Sequence, residues 1–190
     1  MKRESDFGRI TKGAVAGLVA GLVGSSAANQ FHSVWSKLSG EEQNLEGVQL
    51  SDRGGRPDTV AAQEKIAAGG PVEEDATGVI AGKVTNAVVD RPLSRKEKHR
   101  GGVAVHYAFG AASGALYGAA AEVAPLATIA NGAGFGMGVW LAAVEAALPA
   151  LKLTQPPWRY PFRMHAFSFV SHLFYGAVTE QVRKTLRLAL

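Results

Sequence analysis

At 190 residues, with 47% apolar residues, 19% charged residues and a formal charge of +4, the chain suits one ordinary domain and is too weakly basic to mark a nucleic-acid binder. It contains no cysteine, which excludes disulfides and thiolate metal sites. Its basic residues are dispersed, which fits contact with lipid headgroups at helix ends better than contact with a phosphate backbone.

Residues 1–9 form a short polar tail. From 10 to 31 the chain is apolar, with Gly13, Gly17 and Gly21 four residues apart. On a helix these fall on one stripe, the small-xxx-small pattern that lets two backbones approach inside lipid. A basic start followed by an apolar run also resembles a signal peptide. Ser25-Ser26-Ala27-Ala28 matches a cleavage site only loosely, so a retained membrane helix is expected. Asn29, Gln30, His32, Trp35 and Lys37 read as its interfacial exit.

Residues 32–102 are expected to be a polar connection. Ser51 to Asp58 has loop composition, and apolar residues from Val72 to Val88 recur at helical spacing behind Pro71, which points to a surface-lying amphipathic helix. A basic cluster, Arg91, Arg95, Lys96, Lys98 and Arg100, precedes the next apolar stretch. Its density favours a cytoplasmic location for this connection.

Residues 103–190 are expected to form a bundle of three further spans with a basic tail. The second helix covers 103–124 and carries Gly110, Gly114 and Gly118 in perfect four-residue spacing. The third covers 126–148, with Gly132 and Gly136 as one of two overlapping GxxxG pairs, and the fourth covers 164–182. The segment between them, LKLTQPPWRYPFR (151–163), is proline-broken, aromatic and basic, as interface crossings are. The chain contains 23 glycines. In water each glycine in a helix costs about 1 kcal/mol relative to alanine, and close backbone packing in lipid offsets that cost. The expected fold is therefore an all-α polytopic membrane protein of about four glycine-zipper helices, with a long polar connection between the first two.

Ionisable residues near these spans are the candidates for chemistry. Tyr117-Gly118-Ala119 with Glu122 recurs as Tyr175-Gly176-Ala177 with Glu180, and Trp140 with Glu145 echoes it. If the second and fourth helices are parallel, Glu122 and Glu180 share one face with Arg183 available to both. Glu145 then falls at the opposite face, near His106, His165 or Arg163. His172 lies deepest. His106, Glu122, Glu145, His172 and Glu180 are thus candidates for proton or ion handling, because histidine titrates near neutral pH. The competing reading is that the acids pin helix ends at the headgroups and that His172 makes an interhelical hydrogen bond. No phosphate loop, dinucleotide fingerprint, nucleophile elbow or HExxH motif is present. No catalytic residue, metal site or cofactor is expected.

The patterns HYAFG…G..YG…E (106–122), W….E…P (140–149) and SH..YG..TE.VR (171–183) resemble the YagU-like family of small bacterial inner-membrane proteins, whose shared domain has no assigned function. The resemblance covers about 10–37 and 103–187. It implies a multi-pass inner-membrane location and, loosely, a link to acid tolerance, with no catalytic residues to carry over. That family often has an acidic pair in the third helix, where this chain has Val144-Glu145. Taken together, the expectation is a packing or accessory element, not an enzyme. Its partners would be the lipid bilayer and further copies, joined through a glycine stripe, or other membrane subunits. The alternative is a proton- or ion-linked transport or acid-stress protein.

Overall fold

The computed structural model describes residues 5–39, 95–154 and 156–190. The expected loop at 51–58, the amphipathic stretch 72–88 and Arg91 lie outside them. Every regular element among the described residues is helical, with no strand.

Helix α1 (Asp6–Ser39) is longer than the apolar run that announces it. Ser5 Oγ accepts the Gly8 N–H at 3.1 Å, which satisfies one of the orphan donors of the first turn. Asp6 adds a negative charge where the helix dipole favours one. The supposed exit residues Asn29 to Trp35 continue the helix. Helix α2 (Arg95–Val123) likewise begins inside the basic cluster and not after it. It stops before Pro125: Ala124 is extended, at φ −131° and ψ 99°, as the residue preceding a proline tends to be.

The third apolar stretch is not one continuous α-helix. Residues Pro125–Gly132 form 3₁₀ turns, and Ala130, Asn131 and Gly132 take positive φ of 50°, 57° and 89°. The expected helix is thus broken at its start, and Gly132 caps a helix instead of sitting within one. Helix α3 (Ala133–Val139) follows, then a π-helical stretch Trp140–Ala147 and a last α turn Leu148–Ala150. We refer to residues 133–150 as the α3 rod. Helix α4 (Phe162–Ala189) runs beyond its expected end at 182.

Register follows from which residues touch. A Cβ placed on Gly17 would fall on the carbonyl oxygen of Gly114; one on Gly21 would strike Gly110, and one on Gly118 would strike Gly13. Helices α1 and α2 therefore run antiparallel with their backbones in contact along both glycine stripes. Gly132 meets Gly176, and Gly136 meets the backbone of His172, so the α3 rod runs antiparallel to α4. Gly24 packs on Tyr175 and Thr179 of α4, and Phe31 stacks on Phe174 with ring centroids 5.4 Å apart. Helices α2 and α4 are consequently parallel. Phe135 of the rod fits between Tyr117 (4.2 Å) and Tyr175 (5.7 Å), tying three elements together.

Polar and charged side chains share the interior with alanines and aromatic rings, while many large apolar side chains face outward. Ser25, Ser171, Thr179, Glu180 and Arg183 are buried, while Leu116, Leu126, Trp158 and Phe162 are among many large apolar residues left exposed. Two stretches, Asp6–Trp35 and Leu126–Ala150, are long and apolar enough to cross a membrane. Helices α2 and α4 have the length but carry more polar side chains.

Candidate functional site

Because α2 and α4 are parallel, their C-terminal acids meet at one end of the bundle. Glu180 is fully buried, at 0% exposure. Its Oε2 accepts the Tyr117 hydroxyl at 2.7 Å and Arg183 Nε at 2.7 Å, and its Oε1 accepts Arg183 Nη2 at 3.0 Å. Lys184 Nζ lies 3.4 Å from the same Oε1. Glu122 is held by Arg187, with Nε at 2.8 Å and Nη2 at 3.2 Å, and Arg183 Nη1 stands 3.6 Å away. Arg9 of α1 reaches across to the Glu122 carbonyl at 2.6 Å. Arginine stays protonated in proteins, so the network keeps its positive charges. Both acids are neutralised by fork-shaped arginine partners, which makes this end a structural clamp. Glu122 lies on the row 106–110–114–118–122, and its side chain packs over Gly13.

At the opposite end Glu145, within the π-helical stretch, meets His165 at the start of α4. The expected choice among His106, His165 and Arg163 thus resolves to His165. Glu145 Oε1 lies 2.7 Å from His165 Nδ1, and His165 Nε2 lies 2.9 Å from the Pro157 carbonyl. A carbonyl only accepts, so Nε2 carries a hydrogen. A neutral imidazole donates to one of these two acceptors and an imidazolium to both.

His106 and His172 are brought together by a different feature, a cavity of about 250 Å³ to which all four elements contribute. Its polar lining comprises His32, His106 and His172 with Ser25, Ser168, Ser171 and Tyr175. Tyr175 donates to the Gly110 carbonyl at 2.9 Å and lies 3.0 Å from Ser113 Oγ. His172 Nδ1 meets the Ser168 carbonyl at 2.7 Å. The α3 rod contributes Val139, Ala143, Val144, Ala147 and Leu148, three of them from its π-helical stretch. Such stretches are rare and concentrate at functional sites. Among the described residues no three His, Asp or Glu side chains converge to hold a metal ion.

Sequence reasoning missed His32, Arg187 and Arg9. His32 was legible, because it extends the row 17–21–25–28–32 that carries the α1 glycines. The arginines gave no signal beyond lying near helix ends.

Comparison with known proteins adds a family. The sequence profile described as protein of unknown function (DUF1440) matches residues 83–181, just over half of the chain. The chain belongs to this family. The match takes in α2, the α3 rod and most of α4, including Glu122, Glu145, His172 and Glu180, and leaves out α1. No curated protein and no solved structure is detectably similar to the chain.

Proposed function

We propose that the chain is a multi-pass protein of the bacterial inner membrane, related to the YagU-like proteins, that serves as an accessory element of the membrane and not as an enzyme. The single observation behind this reading is the extent of apolar surface left exposed around a buried ion-paired cluster, which suits lipid, where apolar side chains gain nothing by turning inward. On this view α1, α2, the α3 rod and α4 are four spans sealed by glycine zippers. Helix α1, at about 50 Å for 34 residues, projects past a hydrocarbon layer of about 30 Å on both sides. Its glycine stripe and that of α2 are occupied within the chain. Association with a second copy or another membrane subunit then falls to the outer side of the α3 rod, where a side chain on Gly138 would meet nothing. The test is resistance to carbonate extraction combined with tag accessibility. Four spans place both tails on one face and residue 55 on the other, and release into the carbonate supernatant would overturn the reading.

A second reading, proton- or ion-linked transport or acid tolerance, draws on the contact between Glu145 and His165 and on the histidines of the cavity. The arginine partners of Glu122 and Glu180 narrow it to His106, Glu145 and His172. Glu145→Gln or His172→Ala should abolish a pH-dependent flux in liposomes. Unaltered flux would dismiss it.

A further inference from the structure

The cavity has an asymmetry that bears on what it can hold. Most of its wall is apolar, including Val105, Phe109, Val144, Leu148 and Phe167. The polar groups are few: Tyr175 and Ser171 donate to backbone carbonyls, and His172 leaves one ring nitrogen to the cavity. The Ser168 carbonyl opposite His172 Nδ1 can only accept, so Nδ1 carries the hydrogen and Nε2 presents a lone pair. Among the described residues nothing bonds that Nε2. His172 is therefore an acceptor in the wall, its tautomer fixed by the Ser168 carbonyl.

The cavity also has a side door. Helix α2 packs on α1, and the α3 rod packs on α4; Phe135 of the rod stacks on Tyr117 of α2, but beyond it the π-helical stretch and α2 stand apart. Phe109 and Leu151, which line the cavity, are both exposed on that side. In a bilayer this gap faces acyl chains. An apolar cavity of about 150 Å³ is known to hold benzene, so one of about 250 Å³ accommodates a two-ring molecule.

We propose that this cavity binds a small lipophilic molecule carrying a hydroxyl group, of phenol-like chemistry, which enters sideways from the bilayer between α2 and the α3 rod and donates its hydroxyl hydrogen to His172 Nε2. The proposal rests on the reading of the chain as a membrane protein. The π-helical stretch then has a purpose: its widened turn sets Ala143 and Ala147, two of the smallest side chains in the wall, where the ligand's ring lies.

The test uses the full chain in detergent and in nanodiscs, with 2-naphthol as the probe and naphthalene as its hydroxyl-free counterpart. Saturable binding of 2-naphthol is expected, with naphthalene about fivefold weaker, the worth of one hydrogen bond. His172→Phe should bring 2-naphthol down to the naphthalene level. Ala143→Phe and, separately, Ala147→Phe fill the cavity without removing a partner and should abolish binding of both probes while the melting temperature holds. Equal binding of the two probes to the native chain, or binding of 2-naphthol undiminished in either filled variant, overturns the proposal. Carbonate extraction, run in parallel, reads the membrane assignment alone: a chain that is extracted yet binds 2-naphthol at this cavity refutes the route through the bilayer and leaves the site.

Discussion

Tyr117 of α2 donates its hydroxyl to Glu180 of α4 across 2.7 Å, at a carboxylate with no exposure to solvent. The two residues belong to different copies of the Tyr-Gly-Ala…Glu pattern, so the repeat pairs crosswise: the tyrosine of one copy serves the acid of the other.

Removing the acid should cost more than removing the hydroxyl. Tyr117→Phe deletes one donor and leaves Arg183 in place, for a loss of about 1–2 kcal/mol. Glu180→Ala strands the Arg183 guanidinium in the interior and should cost about 3–5 kcal/mol. The Glu180→Ala/Arg183→Ala double variant should recover part of that loss. Thermal unfolding of the purified chain in detergent measures all three, and an additive double variant would argue against the coupling.

Lys184 offers a contrast within the same network. It is about half exposed, although it lies 3.4 Å from Glu180 and bonds Asn131. Lys184→Ala should therefore change stability by only about 0–1 kcal/mol, in the same unfolding measurement.

Glycines that look alike in sequence should respond in opposite ways. Gly114→Leu drives a side chain into the Gly17 carbonyl and the Gly21 backbone, so it should separate α1 from α2 and yield aggregated protein by size-exclusion chromatography. Gly138→Leu meets nothing and should elute and melt as the native chain does. Gly132→Ala combines a clash with the Gly176 carbonyl and a positive φ. It should destabilise by more than the roughly 1 kcal/mol of the backbone conformation alone.

Glu145→Gln should keep the contact to His165, because the amide N–H can donate to a bare Nδ1 while Nε2 stays bonded to Pro157. Nitrogen NMR of labelled histidine should show His165 of the variant carrying its hydrogen on Nε2 alone, with the fold intact. A hydrogen on Nδ1 in the variant would show that the contact to the Pro157 carbonyl does not set the tautomer.

The helices were readable in outline because apolar runs and prolines set them. The break at Ala130 to Gly132 was not, since alanine carries no preference for positive φ and only Asn131 and Gly132 hint at it. The π-helical stretch has no sequence signature at all. The glycine rows announced close packing, but a row of small residues does not say whether its partner lies within the chain or on another copy; register against Gly13, Gly17 and Gly21 decides it. Glu180 and Arg183 were readable as neighbours, three residues apart on one helix. The cavity required three-dimensional placement, because His32, His106 and His172 come from three helices separated by long stretches of sequence.

The region shared with the family begins after α1, yet α1 supplies the inner half of the glycine contact and one wall of the cavity. A fragment lacking the first 39 residues would leave Gly110, Gly114 and Gly118 bare, and the nearest self-complementary cover is the same row on a second fragment. Supplying α1 as a separate peptide should compete with that pairing, so the seam should serve as a docking groove for reconstitution by a helix supplied in trans.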